Sequence, residues 1–348
     1  MKIFTFLKKH KPFVNGLLFL TVAFLTGYTI FFGNNISDLI KSMSNVSLFW
    51  RLLCVVAVLL FIGVESFILW ILLKQKDKKL SIFKCLKYAF VGYFYSGITP
   101  SATGGQPVQL YYMIKDGNGT DKSTVTLLSM ALFYKLIMVI MGVSLLIFFS
   151  NGITAYLDVY VWVYYLGLTL NVLILFVILT FMLIPEKTKS IILKLVQLLM
   201  NIKVLKENNY RKEKIDSFIT GYKNSVDFLF QNKFKMGVLT LLTFIQRSSL
   251  LFVPVFIYLG LHLKDTSLFT ILCIQAAIYV AVDMLPIPGA QGITELIYIS
   301  AFGSIFTEQY LTTSMIITRS VSFYLPLLIG MIVVIFNGKF RKKQEVVI

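Results

Sequence analysis

Two short stretches hold most of the residues that could do chemistry. The first is Ile98-Thr99-Pro100-Ser101-Ala102-Thr103-Gly104-Gly105-Gln106-Pro107-Val108-Gln109, and the second is Asp283-Met284-Leu285-Pro286-Ile287-Pro288-Gly289-Ala290-Gln291-Gly292-Ile293-Thr294-Glu295. Proline breaks a helix and removes a backbone donor. Glycine lets the chain turn and bares its N–H groups, and free amides at the N-terminus of a half-helix favour an anion such as phosphate. Ser101, Thr103, Gln106 and Gln109 add neutral hydrogen-bonding groups to the first stretch; Asp283 and Glu295 bracket the second, with Gln291 between. An ordinary surface loop could have the same composition. Tyr-rich apolar sequence flanks the first stretch, however, and irregular backbone at membrane depth is tolerated only beside protein or a wet cavity. The motif at Gly289–Gly292 has no Gly-Lys-Ser/Thr after it, so nucleotide binding is not expected.

Ionisable residues inside apolar runs are the second clue: Glu65, Lys135, Arg247 and Arg319, joined by Asp283 and Glu295. Each costs a few kcal/mol at the bilayer centre unless it faces the bundle interior and finds a partner. Structural pairing, such as Arg247 with Glu295, would satisfy that requirement. So would a polar path for a charged head group, and the two are compatible.

Other chemistries find little support. Cys54, Cys85 and Cys273 show no CxxC spacing, and His10 and His262 lie far apart without ligand-like neighbours, so neither a metal site nor a disulfide framework is expected. No cofactor is implied.

The elements that must position these residues are membrane helices. Only 14% of residues are charged and mean hydropathy is +0.80, where a soluble domain has about 25% charged. Six runs are long enough to span: roughly 13–33, 48–73, 123–149, 159–184, 236–260 and 310–337. The first is too long for a signal-peptide core and reads as a retained span. The formal net charge of +17 comes from lysines and arginines lying between apolar runs. That placement suits anionic lipid and the positive-inside rule rather than nucleic acid. Lysines before the first span, at 74–87, at 185–235 and in the tail put those segments and both termini on the cytoplasmic side of the plasma membrane.

The orientation closes only if 82–114 and 268–303 each return to the side they left. Both could cross and cross back, but 108–114 is too short to span, which favours two re-entrant hairpins entering from opposite faces. Pro100-x8-Gln109-Leu110-x-Tyr112 matches Pro286-x8-Glu295-Leu296-x-Tyr298. With the opposite entry sides, this suggests that 48–149 and 236–337 form an inverted-topology repeat whose broken helices meet at mid-membrane. The expected fold is an all-α polytopic membrane helical bundle, a single domain over 1–348, with six spans and two re-entrant hairpins. The basic segment 185–235 shows helical spacing at Ile191, Leu195, Leu198 and Ile202, and again at Ile215, Phe218, Ile219, Tyr222, Val226 and Leu229. It reads as amphipathic helix on an anionic leaflet, or as a partner-binding or autoinhibitory arm.

Three motifs together resemble the lysylphosphatidylglycerol synthase transmembrane-domain family, the flippase-like portion of the multiple peptide resistance factor. They are Gly104-Gly105-Gln106-Pro107-Val108-Gln109-Leu110-Tyr111-Tyr112, the stretch Leu285–Glu295, and Arg319-Ser320-Val321-Ser322-Phe323-Tyr324-Leu325-Pro326. The resemblance spans essentially the whole chain. It departs at Gln106 and Gln109, where many members carry an acid or Arg, and at Lys135, where Arg is expected. Nothing resembles the soluble aminoacyl-transferase domain, so the resemblance implies lipid translocation rather than lysyl transfer.

The function expected from sequence is movement of a phospholipid, glycolipid or polyprenyl-phosphate-type amphiphile between leaflets. Pro100, Ser101, Thr103, Gly104, Gly105, Gln106 and Gln109 would meet Pro286, Pro288, Gly289, Gln291 and Gly292 at the head group. Glu65, Lys135, Arg247, Asp283, Glu295 and Arg319 would line the path. The partners expected are membrane lipids with anionic or phosphate-bearing head groups, and oligomerisation is open. The alternatives are a membrane glycosyl- or lipid-modifying transferase, for which an Asp-rich metal site or a His/Asp base is missing, and a regulatory scaffold recruiting a partner through 185–235.

Overall fold

A computed structural model describes residues 43–74, 80–184, 189–191, 193–194 and 210–345. The expected first span, 13–33, and most of the helix expected at 191–203 lie outside the described residues. The described residues are helical and contain no strand. In chain order the helices are α1 (Leu48–Leu73), α2 (Ile82–Gly97), α3 (Gly105–Lys115), α4 (Thr120–Phe148), α5 (Ser150–Leu157) and α6 (Val161–Leu183). Then come α7 (Tyr210–Gln231), α8 (Lys233–Gly260), α9 (Leu268–Val282), α10 (Ile293–Phe302), α11 (Glu308–Arg319) and α12 (Leu325–Glu345).

Five segments are long and apolar enough to cross a membrane: α1, α4, Ser150–Leu183, α8 and Tyr310–Phe336. They coincide with the described five of the six runs read from sequence, the third extended at its start by α5. A helix closes its backbone hydrogen bonds internally, which is the requirement lipid imposes. The outer faces are apolar: Leu52, Val56, Leu59, Phe148, Trp162 and Phe176 are all exposed. The chain is an all-α polytopic membrane bundle.

Packing sets α1 along α8, and α2 among α1, α3 and α12; α9 lies against α6, α8 and α4. Close approach depends on a few glycines. A Cβ at Gly167 of α6 would come within 2.3 Å of the Val280 carbonyl oxygen on α9. Small residues of this kind let membrane helices pack backbone to backbone.

The two broken stretches are helix–tip–helix hairpins, α2/α3 and α9/α10. Their helices contain 16, 11, 15 and 10 residues. At about 1.5 Å per residue none reaches across a ~30 Å hydrocarbon core. Each tip is a 3-10 turn opening on proline, Pro100–Ala102 and Pro288–Ala290, and the residue before each proline is extended, as proline demands. The left-handed residues match: Ser101 (φ 49°) and Ala102 (φ 55°) against Gly289 (φ 59°) and Ala290 (φ 49°). By local backbone, Pro100 therefore corresponds to Pro288; the match ends with Ala102 and Ala290, since Thr103 is right-handed helical where Gln291 is extended. This corrects the sequence register, which set Pro100 against Pro286 and Gln109 against Glu295. The connection from α9 into its tip is longer than that from α2, and the extra residues carry Pro286.

The second half of the basic segment also departs from expectation. Tyr222, Val226 and Leu229 of α7 are buried against Ile68, Phe133, Ile178, Met182 and Leu239, and the Tyr222 hydroxyl donates to the Phe181 carbonyl at 2.8 Å. This apolar face is occupied by the bundle rather than by lipid.

Candidate functional site

The hairpin tips touch. The turn Pro100–Ala102 packs on Pro288–Ala290, and the Ser101 hydroxyl donates to the Leu285 carbonyl at 3.4 Å. Pro100, Ala102, Thr103, Gln106, Pro286 and Ile287 remain exposed around this junction. The tips thus meet while keeping an open polar face.

Glycine acts differently at the two tips. Gly104 has φ −79° and Gly105 begins α3 in ordinary helical backbone, so neither supplies the turn. Their role is closeness. A Cβ at Gly105 would lie 2.0 Å from Ser96 Oγ and 2.7 Å from the Gly92 carbonyl oxygen, so the α2/α3 hairpin needs its absence. The Gly104 amide donates to Thr99 Oγ1 at 2.9 Å, which spends one of the amides expected to face an anion. At the second tip Gly292 has φ 80° with open space around it, and there the backbone itself requires glycine.

All six ionisable residues inside apolar runs find charged or polar partners within the bundle. Lys135 of α4 pairs with Asp283 at the end of α9. Lys135 also donates to Asn171 Oδ1 at 3.0 Å, and the Tyr134 hydroxyl donates to Asp283. Arg319 donates through Nε to Glu295 Oε1 at 2.7 Å and through Nη2 to the Gly289 carbonyl at 3.1 Å. Glu65 of α1 accepts from Gln246 Nε2 at 3.1 Å and Gln109 Nε2 at 3.4 Å, and it attracts Arg247. The pairing Arg247–Glu295 raised from sequence is corrected: Glu295 takes Arg319, and Arg247 faces Glu65. Two of the three charge relationships, Glu65–Arg247 and Lys135–Asp283, join 48–149 to 236–337.

Arg247 has spare capacity. Its guanidinium carbon sits 3.6 Å above the Tyr134 ring and 5.0 Å from that of Phe61, a geometry that holds the cation without neutralising it. Its Nε is buried with no hydrogen-bond partner among the described residues, as are Glu295 Oε2 and Gln291 Oε1. Orphaned buried polar atoms are costly and call for an explanation.

Sequence reasoning missed the neutral residues that complete this centre. Tyr134, Asn171, Gln246, Gln275, Tyr93 and Tyr279 lie in apolar helices, and the two phenols Tyr93 and Tyr279 lie near both arginines. The available signal was an amide, Asn171, Gln246 or Gln275, inside each of α6, α8 and α9. Another signal was the stretch after Arg319, which adopts a π-helix over Ser320–Tyr324 and sets Phe323 under the guanidinium at 4.6 Å. Such π-turns concentrate at functional sites. Among the described residues no three His, Cys, Asp or Glu side chains gather as a metal site requires.

Comparison with known proteins places this geometry in context. A family model described as the lysylphosphatidylglycerol synthase TM region matches residues 15–330. A UPF0104 membrane protein of Pyrococcus horikoshii is 27% identical over 273 residues, covering 77% of this chain and 81% of its own length.

Proposed function

The chain belongs to the lysylphosphatidylglycerol synthase TM-region family, and from that premise we propose that it moves a lipid bearing an anionic, phosphate-type head group between leaflets. One observation carries this: a polar centre inside the apolar bundle, joined to the first hairpin through Gln109 and to the second through Asp283, holds an arginine with an orphaned donor, Arg247. A buried cation is tolerable there beside a partner, water or a bound head group. Glu65 occupies one side of Arg247 and leaves its Nε uncommitted. The acyl chains would stay in lipid while the head group passes the exposed face of the tips at Thr103, Gln106 and Pro286. The hairpins would enter from opposite sides, and the matching turns at Pro100 and Pro288 support a repeat of that kind.

The scaffold alternative loses the apolar face of α7, since Tyr222, Val226 and Leu229 are already packed against the bundle. Mass spectrometry of lipids carried through purification tests the proposal. The wild type should retain anionic phospholipid above its share of the bulk membrane, and Arg247→Gln should lower that excess severalfold. Lipid matching the bulk composition in both proteins would overturn it.

A further inference from the structure

A second polar feature lies away from the hairpin tips, at the end of the bundle where α1 stops and α4 and α8 begin. A cavity of about 320 Å³ opens there under α7. Lys74, Lys122 and Lys235 line it, from three different elements. None of the three has a carboxylate within ion-pair distance among the described residues, whereas Lys87, Lys135 and Arg319 each do. Asp121 is the acid among the lining residues, and its carboxylate is set against α7: a Cβ at Gly221 would lie 2.3 Å from Asp121 Oδ2.

The lysines are posed rather than loose. Lys74 lies 4.4 Å from the Trp70 ring centroid and Lys235 5.4 Å from that of Phe228. Lys122 donates to the Lys74 carbonyl at 3.1 Å, leaving its other two N–H donors uncommitted. Lys122 is repelled by Lys235 and attracted by Asp121, and an anion in the cavity would add a second attraction for both lysines. The first turn of α4 carries no side-chain cap but does carry Asp121, which offsets part of the positive field of its free amides. Ser225 and Asn224 offer neutral hydrogen bonds, while Leu72 and Leu229 give the cavity an apolar floor. Its volume far exceeds the ~10–15 Å³ that holds a single water, room enough for a phosphate group with its substituent.

We propose that this cavity is a binding site for a phosphate-bearing group, held by Lys74, Lys122 and Lys235 and separate from the centre between the hairpin tips. Occupancy would tie α7 to the ends of α1, α4 and α8. The chemistry suits either a phospholipid head group entering along the bundle surface or a free phosphate. The proposal stands on the cavity and does not depend on lipid transport.

Thermal unfolding of the detergent-solubilised full chain tests it, with three additions at constant ionic strength: chloride, inorganic phosphate, and a short-chain phosphatidylglycerol. The comparison is among wild type, Lys122→Gln, Lys235→Gln and Lys235→Arg. Among the described residues no carboxylate loses an ion-pair partner in these variants, so folding should persist. Each Gln variant should raise the apparent Kd by about tenfold, the worth of one hydrogen bond to a charged group, while Lys235→Arg keeps binding. A wild-type shift with phosphate alone identifies a soluble ligand. A shift only with phosphatidylglycerol identifies a lipid head group. Equal shifts in wild type and both Gln variants, or no shift with either probe, would overturn the site. Loss of the shift in Arg247→Gln but not in the lysine variants would overturn it too, by moving the ligand to the tips.

Discussion

Arg319 donates to Glu295 at 2.7 Å while its other arm reaches the Gly289 carbonyl, so one cation ties the start of α10 to the turn before it. Both side chains are nearly withdrawn from the surface. A pair of this kind gains little over an apolar replacement, but breaking it strands a charge. Arg319→Met should therefore cost about 3–5 kcal/mol of stability. Adding Glu295→Gln should recover much of that. Urea unfolding of the single and double variants in detergent checks the coupling, and a double variant as unstable as the sum of the singles would contradict it.

Two glycines make a matched test of backbone demand. Gly292 has φ 80° and Gly63 lies inside α1, and neither has an atom within 4 Å of an added Cβ. Gly292→Ala should cost about 1–3 kcal/mol because the conformation itself is strained for an L side chain. Gly63→Ala should be neutral or slightly stabilising, as alanine is in a helix. Similar melting temperatures for both variants would refute the φ argument.

The hairpin tips were readable because proline and glycine punctuate the sequence so strongly. Their register was not. The sequence match set Pro100 against Pro286, whereas the backbone places the extended residue and the left-handed pair with Pro288. Charges inside apolar runs likewise announced that a polar centre exists, but their pairing is tertiary. Helical spacing carries no information that Glu65 sits beside Gln246, 181 residues away. The amphipathic pattern of α7 was legible too, yet an apolar stripe fits a lipid leaflet and a protein groove equally well.

Tyr222 separates those two settings of α7. It is buried and bonded to Phe181. Tyr222→Ala should cost about 3–5 kcal/mol, as large-to-small core changes do, and should open α7 to protease. A helix resting on lipid would tolerate the change with an unaltered melting temperature and digestion pattern.

Acid should loosen the base of the first hairpin. Asp116 follows α3; burial would raise its carboxyl, but hydrogen bonds from Lys87 and Tyr88 outweigh that and hold it below the usual range. A depressed folded-state pKa means the contribution is fully present above the unfolded value of about 3.9 and is lost as pH falls through the folded value. Melting temperature measured downward from pH 6 should fall less steeply below pH 4 in Asp116→Asn than in wild type. Parallel profiles would show that Asp116 contributes nothing.

The central claim rests on the charged centre inside the bundle, and leaflet exchange measures it directly. Liposomes carrying a fluorescent phosphatidylglycerol are reconstituted with protein, and a membrane-impermeant quencher reports label arriving from the inner leaflet. Wild-type protein should accelerate exchange well above protein-free liposomes. Arg247→Gln, which removes the cation whose Nε is uncommitted, should slow it at least about tenfold, the worth of one hydrogen bond to a charged group. Exchange in wild-type liposomes no faster than in protein-free ones, or unchanged in Arg247→Gln, would contradict the account.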